Sequence, residues 1–553
     1  MSDDEHFDAI VVGSGFGGSV TAFRLAEAGL SVCVLERGKA YPPGSFPRSP
    51  YELSRNFWDP SEGLHGMFNV WSFPGLGGIV SSGLGGGSLI YANVLIRKDA
   101  NTFARDEIEY WPVTYDDLEP HYEQVERMLN AQRYPFDREP YNQTSKTRAL
   151  QLAAERLGLE WLLPNLAITF ANPGEEPTPQ VPIRGAPENL HGRPRLTCNL
   201  SGECDIGCNY GSKNSLDYNY LSLAKLRHGA EIRTRCEVTE LTPRDAGGYR
   251  IYYVDHTETP EGEKRSDDLP RHTLTADRLV LAAGTFGSTY LLLKNRANFP
   301  RIGPALGTRF CGNGDLLTFL IKALDESTGR PRVLDGGYGP VITSAIRVPA
   351  ENGRRGHYVE DAGYPQLVSW LVEFANQTPY FRRVGRFLLR RLVARLRRRA
   401  DPDIGAEISG LLGKAVLSSS SLPLLAMGRD IPDGRFSLTR DGKLTTDWRV
   451  DRSRPYFEEV RQTGIGIARA LHATFRDNPT WRLSRVVTVH PLGGCPMGRD
   501  EREGVVDSFG QVFNYPGLYV ADGSVMPGPV GPNPSLTIAA LANRFADRIL
   551  SQV

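Results

Sequence analysis

The chain has 553 residues, long enough for two or three domains with substantial cores. Lysine plus arginine and aspartate plus glutamate number 64 each, so the net charge favours neither nucleic acid nor another polyanion as a partner. An acidic start that runs directly into an apolar segment is not typical of a secretory signal peptide. Because the seven cysteines are odd in number, we expect reduced thiols and a cytoplasmic location.

The first informative segment is residues 7–38. The nearly uncharged run 7–12 predicts a strand buried on both faces, and residues 31–35 predict a second one. Between them lies a G-x-G-x-x-G turn made of Gly13, Gly15, Phe16, Gly17 and Gly18, followed by a helical pattern. Such a turn brings a pyrophosphate to the helix N-terminus, and Glu36 at the end of the second strand accepts hydrogen bonds from a ribose. The segment therefore predicts a dinucleotide site.

A second glycine-rich segment, residues 83–93, reads GLGGGSLIYAN. Because glycine has no side chain, such a segment allows the backbone to approach a flat or charged ligand closely. Together with GSGFGGSV at 13–20, it resembles the glucose–methanol–choline (GMC) family of FAD oxidoreductases, whose second glycine-rich loop wraps the flavin. The resemblance implies FAD as the cofactor, without a covalent bond, and contacts from Arg37, Gly85, Gly86, Ser88 and Asn93.

In the middle of the chain, residues 111–129 predict a turn and then an amphipathic helix from about 115. Residues 198–208 carry Cys198, Cys204 and Cys208 in a ferredoxin-like spacing, with Ser201 in place of one cysteine. Three thiols fall short of the four ligands of a [4Fe–4S] cluster, and no histidine has zinc-ligand spacing. We therefore expect buried thiols and no metal.

Residues 209–315 predict a helix to Arg227, a strand through Val238 and a buried strand over LVLAAG at 279–284. The family resemblance implies a contact from Val238 to the adenine side of FAD and further contacts from Ala283 and Gly284. Residues 303–315 are predicted as a loop that leaves the cofactor domain.

The C-terminal part, from VVTVHPLGGCPMG onward, is most similar to the cholesterol-oxidase-like bacterial branch of the family. A strand ending near 520 and a helix over 535–550 are predicted. The resemblance implies that His490 is the catalytic base and that Asn533 hydrogen-bonds the substrate oxygen. It also implies cofactor contacts from Asp522, Gly523, Asn533, Pro534 and Ser535.

These observations predict an α/β protein with a Rossmann-like FAD-binding domain of GMC type and a mixed or antiparallel-sheet substrate domain with helices. We assign residues 1–100, 195–315 and 483–553 to the FAD-binding domain, and residues 101–194 and 316–482 to the substrate domain.

The predicted activity is oxidation of a CH–OH group to a carbonyl on a hydrophobic substrate, a sterol or a long-chain alcohol, with hydride passing to flavin N5. Three alternatives remain: a sugar or a small or aromatic alcohol as substrate, a lipid-acting flavoprotein with other chemistry such as light-driven decarboxylation, and a nucleotide-binding protein without activity.

Two further features concern the chemistry. Ser535 stands where steroid-oxidising relatives that use O₂ carry Phe, so the electron acceptor is either O₂ or another molecule. Isomerising cholesterol oxidases also use a carboxylate over the sterol ring. Glu360 is a candidate by region, with Asp361 and Glu373 as rivals, and we expect it to be a solvated carboxylate.

Residues 380–399 contain nine arginines and no acidic residue. On a helical wheel, apolar and basic residues separate imperfectly onto opposite faces. The pattern predicts either a helix packed on its own domain or a peripheral contact with an anionic membrane.

Overall fold

The structure is a computed structural model that describes residues 5–49, 52–53, 55–103, 109–258, 261–263, 269–351, 353–363 and 420–552. The α-helices used below are α1 Phe16–Glu27, α2 Tyr115–Met128, α3 Ser145–Leu157, α4 Tyr220–Leu226, α5 Gly284–Lys294, α6 Arg454–Ala470 and α7 Ser535–Leu550. The strands are β1 Glu5–Val12, β2 Val32–Glu36, β3 Trp58–Asp59, β4 Leu64–His65, β5 Phe68–Ser72, β6 Leu76–Ser81, β7 Val94–Leu95, β8 Gln132–Arg133, β9 Glu160–Leu162, β10 Asn165–Leu166, β11 Glu231–Thr234, β12 Cys236–Pro243, β13 Tyr249–Asp255, β14 Arg271–Leu281, β15 Leu316–Ile321, β16 Ala345–Val348, β17 His357–Glu360, β18 Leu422–Gly428, β19 Phe436–Leu438, β20 Leu444–Thr446, β21 Thr474–Asp477, β22 Val486–Thr488 and β23 Leu518–Val520.

The larger sheet has seven strands in the order β11-β2-β1-β14-β13-β12, with β23 also paired to β14. Strands β11, β2, β1, β14 and β23 run parallel, whereas β12 and β13 are antiparallel. The long strand β14 is shared: its first half pairs with β13, and residues 279–281 pair with β23. The parallel part is apolar and buried on both faces, as expected of strands covered by helices.

Helices α1, α2 and α7 pack together beside this sheet. Gly29 ends the α1 turn with φ +91°, a conformation that glycine adopts without strain. Arg24 of α1 forms an ion pair of 2.7 Å with Asp547 of α7, and Tyr122 of α2 lies 3.0 Å from the Thr537 hydroxyl. Their apolar faces form one core with the sheet.

The second sheet has six antiparallel strands in the order β21-β15-β18-β17-β16-β9. Helices α3 and α6 contribute to a separate apolar core on it. Residues 441–443 lie between two β-rich runs and predict a hairpin turn. The structure has this hairpin, β19–β20, which turns around Gly442.

The α/β class and both kinds of sheet are confirmed, with two local corrections. The strand predicted through Val238 is two strands, because Arg235 adopts φ +61° and breaks the run between β11 and β12. The alternating pattern of residues 340–348 also predicts a strand, but that strand, β16, begins only at Ala345. The division into two domains stays a prediction.

Residues 367–374 also have the alternating pattern of a strand, but they lie outside the described residues. The arginine-rich segment 380–399 and Glu373 lie outside them as well. Within the described ranges, no helix combines the length and apolar character needed to cross a membrane.

Candidate active site

The first part of the site is the edge at which the parallel strands end. Val12 O accepts a hydrogen bond of 2.8 Å from Ala282 N, and Leu281 O accepts one of 2.8 Å from Ala521 N. The segments that follow β1, β14 and β23 therefore lie side by side. This edge, at the carboxyl ends of parallel strands, is where α/β sheets bind their ligands.

Gly17 and Gly18 in the turn after β1 are packed tightly against backbone atoms, whereas Gly15 faces open space. A Cβ at Gly17 would overlap the Ala521 carbonyl oxygen, and one at Gly18 would overlap the Gly13 carbonyl oxygen. A Cβ at Gly15, in contrast, would meet no described atom within 4 Å. Gly15 is the N-cap of α1, so the open space lies at the helix N-terminus, where a pyrophosphate binds favourably.

The second glycine-rich loop packs on the first. Gly85 N donates to Ser14 Oγ at 3.0 Å, and the Gly86 backbone lies against Gly15. The buried Glu36 carboxylate accepts from Ser14 N at 3.0 Å and from Gly38 N at 2.8 Å. The two predicted cofactor loops and the predicted ribose acceptor are thus brought together.

Two other predicted cofactor segments meet through Asp522. Its carboxylate accepts from Gly284 N at 2.9 Å, from Ser288 Oγ at 2.5 Å and from Ser524 N at 2.8 Å. These bonds join the turn at Ala283–Gly284 to the turn at Asp522–Gly523.

Arg37 and Val238 lie apart from this junction. Arg37 donates to Asn69 Oδ1 at 3.3 Å, and its guanidinium lies 5.5 Å from the Trp58 ring centroid. Val238 lies on β12 next to a β-bulge. Their contacts with a cofactor stay predictions.

Several buried polar atoms of the predicted site have no hydrogen-bond partner among the described residues. They are both amide atoms of Asn93, Asn533 Oδ1 and Ser535 Oγ. Ser88, in contrast, is satisfied, because it donates to Gly85 O at 2.7 Å and accepts from Leu216 N at 3.1 Å. Since an unpaired buried polar group costs free energy, these atoms are suited to bind the polar groups of a ligand. The open helix N-terminus and these polar atoms fit FAD.

The predicted base, His490, is held by a buried carboxylate. His490 Nδ1 lies 2.8 Å from Asp315 Oδ1, and the Asp315 side chain is 1% exposed. The other oxygen of Asp315 accepts from Val489 N at 2.8 Å and His490 N at 3.2 Å, with Thr488 Oγ1 at 2.9 Å. Asp315 precedes β15 of the second sheet, whereas His490 follows β22, which belongs to a separate three-stranded sheet with β6 and β5.

Glu360, at the end of β17, is fully buried, so the expectation of a solvated carboxylate was wrong. Neither carboxylate oxygen has a hydrogen-bond partner in the described part of the chain. Burial and the charges of Asp361 and Asp315 raise its pKa well above the usual range, and the nearby Asn533 side chain opposes the rise. Glu360 therefore lies close to Asn533.

Asp361, the neighbouring rival, is fully satisfied. It accepts from Thr343 N and Ser344 N at 2.9 Å each and from both hydroxyls, and Lys146 Nζ lies 3.7 Å away. This environment gives Asp361 a structural role and leaves Glu360 as the free carboxyl.

The seven cysteines are free thiols. Burial raises the pKa of Cys198 and of Cys204, which favours the neutral thiol. Among the described residues, no group of three or more His, Cys, Asp or Glu is arranged to hold a metal ion.

The sequence analysis gave no functional role to Asp315 and Asn313, which lie in the loop predicted at residues 303–315. Asn313 Oδ1 accepts from Val530 N and Gly531 N, the residues that lead to Asn533. A signal was present: GNGD places an Asn between two glycines, a pattern typical of positive φ, directly before a strand.

Comparison with known proteins identifies the family. GMC oxidoreductase family models match residues 7–310 and 457–542. A cholesterol oxidase from Mycobacterium tuberculosis is 30% identical, covering 98% of this chain and 90% of its own length. One from Acinetobacter baumannii is 28% identical, covering 97% and 93%.

A solved pyridoxine 4-oxidase from Mesorbium loti has the same fold, with TM-score 0.58 and 16% identity over 98% of this chain and 99% of that one. The resemblance read from the two glycine-rich loops and the HPLGGC segment is thereby confirmed. The chain belongs to the GMC oxidoreductase family of flavoproteins and is an FAD-dependent alcohol oxidoreductase.

Proposed function

We propose that the protein oxidises a secondary or primary CH–OH group of a hydrophobic alcohol, a sterol or long-chain alcohol, with His490 as the base. The observation that carries this proposal is the 2.8 Å contact between His490 Nδ1 and the buried Asp315 carboxylate. A carboxylate accepts only, so in the neutral imidazole Nδ1 carries the proton and Nε2 keeps a free lone pair.

Nε2 of His490 then accepts the proton of the substrate hydroxyl. The Asp315 carboxylate stabilises the resulting imidazolium, and its other oxygen is held by the backbone N–H groups of Val489 and His490. The amide of Asn533 hydrogen-bonds the substrate oxygen as it becomes a carbonyl. When bound, FAD supplies the hydride acceptor, its N5 atom.

The hydrophobic substrate class is supported by the two cholesterol oxidases that align over nearly the whole chain. The alternative is a sugar or a small alcohol. Anaerobic mixing of the holoenzyme with cholesterol, a long-chain alkanol, a hexose and pyridoxine tests the class. Flavin bleaching by cholesterol or the alkanol is expected. Bleaching by the polar alcohols alone contradicts the substrate class, and no bleaching contradicts alcohol oxidation.

The electron acceptor is decided in the same experiment. Admission of air to the reduced enzyme returns the flavin absorbance within seconds if O₂ is the acceptor. Slow return, together with fast return on addition of a quinone or dye, identifies a dehydrogenase.

We propose that FAD is bound without a covalent bond. Acid precipitation of the holoenzyme should then leave a yellow supernatant and a colourless pellet. Colour that stays with the pellet contradicts the proposal.

A second candidate step is isomerisation of an unsaturated sterol ketone, favoured by the free, buried Glu360 near Asn533. In its ionised form, Glu360 removes a proton from the carbon between the carbonyl and the double bond. It returns the proton to the far end of the shifted double bond, so no oxidant is needed. With cholesterol, Glu360→Gln is expected to oxidise the alcohol but to accumulate the unconjugated ketone, which chromatography separates from the conjugated product.

A further inference from the structure

The loop that carries Asn533 has too few backbone N–H groups to fix its shape by hydrogen bonds within the loop. Residues 527–534 read PGPVGPNP, and four of these eight residues are prolines without an N–H. Such a loop offers many carbonyl acceptors and few donors. Its shape must therefore be fixed by groups from elsewhere in the chain.

Asn313 supplies most of these bonds. Its Oδ1 accepts from Val530 N at 2.9 Å and Gly531 N at 3.0 Å. Its Nδ2 donates to Pro532 O at 3.0 Å, directly before Asn533. Lys98 Nζ adds longer bonds from the other side, 3.2 Å to Pro529 O and 3.3 Å to Val530 O.

The segment that contains Asn313 is itself held rigidly. Asp430, fully buried, accepts from Gly312 N and from Gly314 N at 2.9 Å each. The Asn313 carbonyl accepts from Gly428 N at 2.9 Å, at the end of β18. Asn313 has φ +53°, a conformation that asparagine tolerates better than most residues.

The same segment also fixes His490. Two residues after Asn313, Asp315 binds His490 Nδ1 and the backbone of Val489 and His490. One short turn, residues 312–315, therefore contacts both the loop of His490 and the loop of Asn533.

We propose that Asn313 is a positioning residue that sets the place of Asn533 relative to His490. This inference rests on the proposed function for the roles of Asn533 and His490. Asn313 acts through the loop at 530–532, and Asp315 acts in parallel on His490. The rate of a reaction falls steeply when a catalytic group is displaced even slightly. The hydrogen bonds of Asn313 to residues 530–532 therefore contribute to the rate of flavin reduction, although Asn313 does not touch the substrate.

The first test measures backbone hydrogen exchange in the holoenzyme by mass spectrometry. Asn313→Gly removes the side chain and keeps the positive φ free of strain. The amides of Val530 and Gly531 are expected to lose protection, while β23 (Leu518–Val520) stays protected. Asn514→Gly is the matched control, since Asn514 is exposed and also has a positive φ of +67°.

Asn313→Asp is the second variant, in case the glycine variant does not fold. It keeps the acceptor for both amides and loses the donor to Pro532 O. Protection of Val530 and Gly531 should persist, and flavin reduction should slow less than in Asn313→Gly.

The second test is a pair of double-mutant comparisons of anaerobic flavin reduction. Asn313→Gly should slow the parent by about 10²-fold, the cost of a small misplacement. In an Asn533→Ala background, Asn313→Gly should cause no further slowing of flavin reduction, because the side chain that Asn313 positions is absent. In a His490→Ala background the same factor should persist, because His490 is held by Asp315 instead.

Two outcomes overturn the proposal: protected amides at 530–531 in Asn313→Gly, or an equal slowing with and without Asn533. If no alcohol reduces the parent flavin, the proposed function fails, and the exchange at 530–531 still decides whether Asn313 holds the loop.

Discussion

At the scale of single residues, Glu360 and Asp361 show how burial assigns different tasks to adjacent carboxyls. Both are fully buried. Asp361 is surrounded by donors from Thr343 and Ser344, whereas Glu360 has no hydrogen-bond partner in the described ranges. An unpaired buried charge is unfavourable, so burial disfavours the charged form of Glu360 and raises its pKa.

Glu360 makes the folded protein less stable as the pH rises. Its folded pKa is above its unfolded one because of burial, so the folded state holds a proton that the unfolded state releases. The contribution of Glu360 to the free energy of unfolding is therefore fully present below about pH 4 and is lost progressively as the pH rises above it. Glu360→Gln should remove this loss, so its melting temperature should exceed that of the parent by more at pH 8 than at pH 4.

Asp361→Asn is the matched control in the same thermal melts. It breaks a satisfied buried network next to Lys146, so it should cost roughly 3 kcal/mol near neutral pH. A Glu360→Gln advantage that does not grow with pH would contradict the environment described for Glu360.

His490 is the second residue with a specific prediction. His490→Ala should leave FAD bound and slow anaerobic flavin reduction by roughly 10²–10⁴-fold, the usual reach of a general base. Asn533→Ala should slow it as well. Stopped-flow absorbance measures both. Reduction of the His490→Ala enzyme at the parent rate would place the base elsewhere.

At the scale of elements, the turn from β1 into α1 shows that its glycines serve different purposes. A side chain at Gly17 would meet the Ala521 carbonyl of the neighbouring strand end, so this glycine permits packing. A side chain at Gly15 would enter open space at the N-terminus of α1. We therefore predict that Gly15 is required by the ligand, whereas Gly17 is required by the fold.

Two valine substitutions separate these purposes. Gly15→Val should fold with a melting temperature close to that of the cofactor-free parent, yet retain no FAD, because the side chain fills the pyrophosphate path. Gly17→Val should destabilise the protein strongly, with or without FAD. Circular dichroism and the absorbance of bound flavin measure these effects. A yellow Gly15→Val protein would place the pyrophosphate elsewhere.

At the scale of the whole molecule, the site forms where the two sheets meet. The parallel sheet supplies the glycine turn, Asp522 and the open helix N-terminus. The segment leading into the antiparallel sheet supplies Asn313 and Asp315, and β17 supplies Glu360. The residues predicted to bind the cofactor and to act on the substrate therefore come from both sheets.

The basic segment 380–399 leads to a prediction for the whole protein. If it contacts anionic membranes, the protein should float with phosphatidylserine vesicles at low salt, because each arginine near the surface contributes about 1 kcal/mol. Changing Arg382, Arg383, Arg386 and Arg390 to Gln should abolish flotation. The control changes four exposed arginines elsewhere, namely Arg138, Arg184, Arg271 and Arg499.

Flotation that is absent in the parent, or equal in both variants, would contradict membrane contact through this segment. The interpretation as a helix packed on its own domain would then remain.

The sequence by itself determined the elements whose signals are local. The glycine turn, α1 with Gly29 at its end, and α7 over Ser535–Leu550 follow from spacing along a few neighbouring residues. The family, and with it FAD and alcohol oxidation, followed from motifs contiguous in the chain.

Only the tertiary structure decided which distant groups act together. Asp315 and His490 are 175 residues apart, and Asn313 and Val530 are 217 apart, so their contacts depend on how strands of two sheets assemble. Likewise, no local pattern distinguishes Glu360 from Asp361, because the donors that satisfy Asp361 come from residues 343–344. Periodicity specifies which face of an element is buried, whereas the partner of a buried polar group is fixed only when the elements pack.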